Sequence, residues 1–186
     1  MYKLIHDILP EIGVKETRMV TVLPDSEHGL PVGDYSFGEM FCIDPACDCR
    51  RVMFTVLCTP IGEDHFANQL YDVKNSEQIT EKKVCATIGW GWESRKHYEN
   101  WMNSNDEALI TELMGPTLDS MQEQSELAPR ILEMFKDVLL KDELYVARVK
   151  HHYTMFRKAI GQKSSTTKVT RGTNITPKKK KRKKRK

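Results

Sequence analysis

A chain of 186 residues with 39% hydrophobic content is long enough to bury a core of its own, so it does not need disulfides or metal merely to stay folded. The formal charge of +3 conceals two opposite parts: residues 161–186 hold twelve of the 29 Lys/Arg and no Asp or Glu, whereas residues 1–160 hold 17 Lys/Arg against 26 Asp/Glu, a net −9. This split argues against a generally basic surface on the globular part and directs any polyanionic partner to the tail. With no apolar run of about eighteen residues and with polar breaks in the first residues, the sequence predicts no transmembrane segment or signal peptide, and a protein that is cytoplasmic, or nuclear if its cell is eukaryotic.

The chain opens on a short apolar patch, Leu4, Ile5, Ile8 and Leu9, which Pro10 is expected to stop. A strand is predicted over 19–23 and a Pro- and Gly-bearing loop over 24–34. From Tyr35 the pattern turns to strands. Residues 35–42 lead into a cysteine cluster, with Gly38 predicted as a bulge, and 51–58 lead out of it with β-branched and aromatic side chains. The cysteines therefore belong at the tip of a hairpin. Residues 59–82 are polar and read as an irregular excursion, and 84–90 as a third strand.

Helical periodicity follows. Tyr98, Trp101 and Met102 share a face over 92–102, and a short helix over 106–114 is closed by Gly115-Pro116. Ala128, Ile131, Leu132, Phe135, Val138 and Leu139 form an i, i+3, i+4 stripe with Pro129 in its first turn. Asp142 can cap a last helix whose apolar face carries Tyr145, Val149, His152, Tyr153, Phe156 and Ile160. Strands first and helices after predict an α+β fold: a small antiparallel sheet with a Cys-rich hairpin tip, packed by C-terminal helices. The domain is expected to span 1–161. Residues 162–186, rich in Ser, Thr and Lys and poor in apolar groups, are expected to form a disordered linker and polybasic tail.

Cys42, Cys47 and Cys49 carry the chemistry. They fall within eight residues in a Cys-x4-Cys-x-Cys spacing, with Asp44-Pro45 as a turn between the first two. In a reducing compartment such a cluster favours metal or free thiols over a disulfide framework, and three thiolates on one turn supply three corners of a structural Zn2+ tetrahedron. His152 is the first candidate for the fourth corner, because the apolar face of the last helix should pack against the hairpin. A lone imidazole on an apolar face otherwise reads as a hydrogen-bonded core residue. Cys58, Cys85, His65 and His151 compete, the two cysteines weakly, since each sits inside an apolar strand like a small buried hydrophobe. Arg50 and Arg51 can offset the negative charge of a thiolate site, or can be a solvated pair at a strand start. Trp90, Trp92 and Trp101 read as core packing, with a stacking platform for a ligand as the other reading. Asp44, Asp48 and Glu93 offer carboxylates, but no nucleophile motif, phosphate loop or His-Glu-x2-His spacing accompanies them, so no catalytic residues are assigned.

Glu39 to Cys42 in sequence, Asp44-Pro45, Cys47-Asp48-Cys49-Arg50-Arg51-Val52, the Ala86-Thr87-Ile88 run with Trp90-Gly91-Trp92-Glu93, Tyr98, Trp101-Met102 and His152-Tyr153 with Met155-Phe156 together resemble a family of uncharacterised, mostly bacterial proteins. Some members of that family end in a SEC-C-type zinc motif. The resemblance spans roughly residues 35–157 and implies no activity. The Cys-rich ending is absent here, and a basic run of Lys178, Lys179, Lys180, Lys181, Arg182, Lys183, Lys184, Arg185 and Lys186 stands in its place. Such a run can hold RNA or DNA through phosphates, meet an anionic membrane surface, serve as a nuclear-import signal, or act as a solubilising tail. The sequence thus predicts a zinc-binding, non-enzymatic protein whose tail associates with nucleic acid. A metal-dependent enzyme with an open zinc position and a nucleus-directed interaction protein are the alternatives.

Overall fold

The computed structural model describes residues 1–60 and 83–168; most of the expected excursion, His65 and the basic run lie outside the described residues. The fold is α+β, built on one antiparallel sheet. Its strands are β1 (Tyr2–Leu4), β2 (Arg18–Val22), β3 (Gly33–Cys42), β4 (Arg51–Pro60), β5 (Lys83–Gly91) and β6 (Thr117–Leu118). The three long strands predicted from β-branched and aromatic content are β3, β4 and β5. Both β1 and β2 line one edge of β3, β1 at the Cys42 end and β2 at the Gly33 end, while β4, β5 and β6 follow on its other side. The sequence did not announce β1 or β6, which are too short to show an alternation.

The helices are α1 (Ile5–Ile8), α2 (Pro10–Glu16), α3 (Arg95–Met102), α4 (Glu107–Met114), α5 (Ala128–Met134) and α6 (Glu143–Lys168), with a π-helical turn Phe135–Leu139 continuing α5. Among the described residues, none is long and apolar enough to cross a membrane. Pro10 does not end a helix; it begins α2, because at the first helical position its missing N–H would have had no partner. Asp142 caps α6 as expected, its Oδ1 accepting from the Leu144 and Tyr145 amides at 3.1 Å.

Period-two alternation turns Tyr35, Phe37, Glu39 and Phe41 of β3 toward the helices, with Val52, Phe54 and Val56 beside them on β4. Phe135 stacks on Phe37 at a ring distance of 5.8 Å and meets Phe54 at a tilt at 4.9 Å, and Phe156 of α6 meets Phe41 at 5.4 Å. Fully burying each such ring contributes about 2 kcal/mol, so these contacts hold α5 and α6 against the sheet. The tryptophans are packing residues too. Trp90 lies 5.7 Å from Trp92, which meets Tyr153 of α6 edge-on at 5.2 Å, and Trp101 packs on the smaller cluster of Tyr98, Ile110 and Leu113.

Two expectations are corrected. Gly38 makes no bulge: it pairs in register with Thr55, and an added Cβ would come within 3.1 Å of that threonine's Cγ2 and 3.3 Å of Leu4 Cδ2, so the glycine gives room to the side chains of β4 and β1 on either side. The register shift falls instead between Val56 and Leu57, opposite Cys85. There Cys58 and Cys85 are joined as a disulfide, not separate thiols, because the shift brings neighbouring strands' side chains together. The last helix, α6, is continuous through Gly161 to Lys168. An exposed helix tolerates one glycine at a cost of about 1 kcal/mol, and a Cβ at Gly161 would meet nothing within 4 Å. Gly161→Ala should therefore raise stability by up to about 1 kcal/mol, read as a shifted urea midpoint at unchanged slope.

Candidate metal centre

The connection between β3 and β4 is residues 43–50, and the chain tightens it locally. The Asp44 carbonyl accepts from the Cys47 amide at 3.2 Å and the Asp44 Oδ1 from the Ala46 amide at 2.9 Å, a turn with Asp at its first position and Pro at its second. Arg50, at φ +45°, then turns the chain back into β4 through the left-handed region. The outcome is that the sulfurs of Cys42, Cys47 and Cys49 lie within 4.8 Å of one another, with Cys42 and Cys49 buried and Cys47 partly so. Tetrahedral bonds of about 2.3 Å place sulfurs roughly 3.8 Å apart, so the donor set fits a thiophilic ion in number, chemistry and spacing.

Burial, the nearby Cys49, and a hydrogen bond to Cys42 push the Cys47 thiol up to about 12. At neutral pH the metal-free Cys47 thiol is thus protonated, and an entering ion must displace its proton; uptake should weaken as the pH falls. Tyr2 of β1, which pairs with Cys42, places its hydroxyl in hydrogen-bonding reach of Cys49, and its own pKa is raised first by burial and then by that sulfur.

His152 is not brought to the cluster. Its Nδ1 lies 2.8 Å from Glu39 Oε2 and its Nε2 3.1 Å from Glu16 Oε2, so both ring nitrogens are occupied by carboxylates. The apolar-face argument put the imidazole on the correct helix face but against the wrong partner: Glu39, inward-facing on β3, reaches it first. Cys58 and Cys85 pair with each other, and Cys58 sits opposite Tyr35, seven residues along β3 from Cys42. His151 is exposed, and His65 lies outside the described residues.

The two arginines are used differently from expectation. Arg50 holds Asp48 through Nε and Nη2 at 3.0 Å each and Glu93 through Nη1 at 3.2 Å, while Arg51 Nη2 donates to the Glu112 carbonyl at 3.0 Å. A second cation on the 43–50 loop is Arg157 of α6, whose guanidinium donates to the carbonyls of Asp44 and Pro45. Nothing in the local pattern of the loop signals an arginine more than a hundred residues away.

A second clamp comes from α3. Tyr98 is fully buried; its hydroxyl donates to the Arg50 carbonyl at 3.0 Å and accepts from the Glu93 amide at 3.4 Å. Gly91 leaves the space for it, since an added Cβ would collide with the Tyr98 hydroxyl and lie 2.6 Å from the Leu113 carbonyl. Gly91→Ala should cost about 1–3 kcal/mol by overpacking and loosen the loop from α3, measurable as a lower denaturant midpoint with faster amide exchange at 48–50. His97, one residue before Tyr98, sets its Nε2 3.2 Å from the Asp48 carbonyl. Sequence reading passed over it because the helix was read from its apolar face alone. On the sheet's other face a groove of about 540 Å³ is lined by Met40, Met53, Gly89 and Glu112, and Tyr2 and Arg51 connect it to the cysteine loop.

Compared with known proteins, the chain matches no family model, no curated protein and no solved structure.

Proposed function

We propose that this protein is a zinc-binding protein in which Cys42, Cys47 and Cys49 hold the ion at the β3–β4 tip, and that its basic C-terminal run associates with nucleic acid. The observation that carries the metal reading is the convergence of three sulfurs within 4.8 Å on a loop fixed from two sides. Zinc suits the set because three thiolates around a divalent ion leave net negative charge, and the Arg157 guanidinium on the same loop offsets it. The role is structural binding and not catalysis, for the neighbouring carboxylates are committed: Asp48 and Glu93 to Arg50, and Asp44 Oδ1 to the Ala46 amide. Metal analysis of protein purified in reductant should give close to one zinc per chain. A metal-free chain with an unaltered melting temperature would overturn the reading.

One observation favours a metal-dependent enzyme instead: among the described residues the converging set has three members, which leaves a coordination position for water or substrate. An open position would show as exchange of small anions on the cobalt-substituted protein, whereas a closed site would be inert to them.

The tail reading rests on charge. The nine consecutive Lys/Arg at 178–186 face a domain of opposite sign, so attraction to RNA should sit in the tail and fall with a log–log salt slope near −6 for about nine neutralised phosphates. Little base preference is expected, since phosphate contacts carry no sequence information. Deleting 169–186 should abolish binding and leave the zinc in place. Equal binding by the shortened chain would move the RNA site to the domain.

A further inference from the structure

The triad needs a fourth donor if it is to be a closed zinc site, and the described imidazoles can be taken one at a time. His152 is held by Glu39 and Glu16, His6 bonds Thr17 Oγ1 at 3.1 Å, His28 lies in the connection between β2 and β3 beside Asp137, and His151 projects to solvent. His97 is different: its Nε2 bonds the carbonyl of Asp48, the residue between Cys47 and Cys49. We propose that His97 is the fourth ligand, closing a Cys3His zinc site when the ion binds. This rests on the reading of the cysteine triad as a metal site.

The backbone already delivers the imidazole to the right place. Ser94 caps α3 by accepting from the His97 amide at 3.4 Å, so His97 lies in the first turn. That turn is fastened to the cysteine loop by the Tyr98 hydroxyl on the Arg50 carbonyl and by the Arg50–Glu93 ion pair, at 3.0 and 3.2 Å. The imidazole therefore need not bring its helix with it. Rotation about its own side-chain bonds, out of its edge-on contact with Tyr98 at 5.1 Å, would exchange the Asp48 carbonyl for the ion held by the three sulfurs. His97 is partly exposed, so the ring proton can pass through solvent from Nε2 to Nδ1, leaving Nε2 as the donor atom. An imidazole with three thiolates is a common structural zinc set. It also removes the position that an enzyme would require.

The test uses the full reduced chain loaded with 113Cd and reads scalar couplings from the metal to ligand protons. Correlations to the β-protons of Cys42, Cys47 and Cys49 and to the ring protons of His97 are expected. His97→Ala should lose the ring correlation and weaken zinc retention more than about tenfold, with His151→Ala unchanged. Cysteine correlations accompanied by a ring other than His97, such as His65, or by no ring, would overturn the assignment and leave the metal reading standing. No cysteine correlations would overturn both. His97 is partly exposed, and although its ring meets Tyr98 edge-on at 5.1 Å, its loss leaves the Tyr98 hydroxyl on the Arg50 carbonyl, so its variant should fold, and amide spectra of the metal-free proteins would verify that.

Discussion

Cys49→Ser is expected to reduce the zinc content from about one ion per chain to near none and to lower the melting temperature steeply. An ion that binds only the folded chain adds about 4 kcal/mol when its free concentration is a thousandfold above Kd. In a chain of this length that corresponds to roughly 8–16 °C. Cys49 should be the most sensitive position of the three, since it is 1% exposed and its sulfur also meets the Tyr2 hydroxyl. Cys47→Ser, at the partly exposed corner, should lose the ion equally but disturb the metal-free protein less. The decisive comparison is made with chelator in constant reductant: wild type and Cys47→Ser should then melt close together, with Cys49→Ser below both. If chelator leaves the wild-type transition where it was, zinc contributes nothing to stability and the cysteines need another explanation.

What the sequence disclosed follows from the range of the forces involved. The strands 35–42, 51–58 and 84–90, the α5 stripe and the Asp142 cap are local patterns, and each is present within a few residues of its predicted place. The cysteine convergence was legible for the same reason, because a turn at Asp44-Pro45 and a two-residue spacing are enough to gather the sulfurs. The surroundings of the site were not legible. Tyr2, His97 and Arg157 reach the loop from β1, α3 and α6, and their arrival depends on how the helices cross the sheet. One long-range pairing did leave a mark. Glu39 alternates with Tyr35, Phe37 and Phe41, so it had to face the core, and a buried carboxylate requires a partner. The one basic group on the inward face assigned to the last helix was His152. Taking the acid as the starting point would have matched the two and released His152 from the metal.

That pair supports the other large effect. Glu39 and His152 are each 2% exposed, and the imidazole lies between Glu39 at 2.8 Å and Glu16 at 3.1 Å. With a carboxylate on each nitrogen both ring N–H groups donate, which requires the imidazolium. Burial by itself would lower its pKa, but the hydrogen bonds and charges of Glu39 and then Glu16 outweigh that and raise it. Arg148, 4.0 Å from Glu16, helps to balance the two acids, and the network ties α2, β3 and α6 together. A folded pKa above the unfolded value of about 6.5 means that protonation stabilises the native state. This contribution is complete below about 6.5 and is lost as the pH rises through the folded pKa. Glu39→Ala strands a buried cation and should cost about 3–5 kcal/mol at pH 6. Glu16, 41% exposed at its side chain, is screened by solvent, so Glu16→Ala should cost no more than about 1 kcal/mol. Glu39→Gln preserves the shape and removes the charge, and should flatten the decline in stability above pH 6.5 that is expected of the wild type. The measurement is denaturant unfolding from pH 5.5 to 9, paired with NMR titration of the His152 ring. A ring that titrates at or below 6.5, or a Glu39→Gln chain whose stability falls with pH as the wild type's does, would show that the imidazole is neutral in the folded protein and that the buried ion pair does not govern its stability.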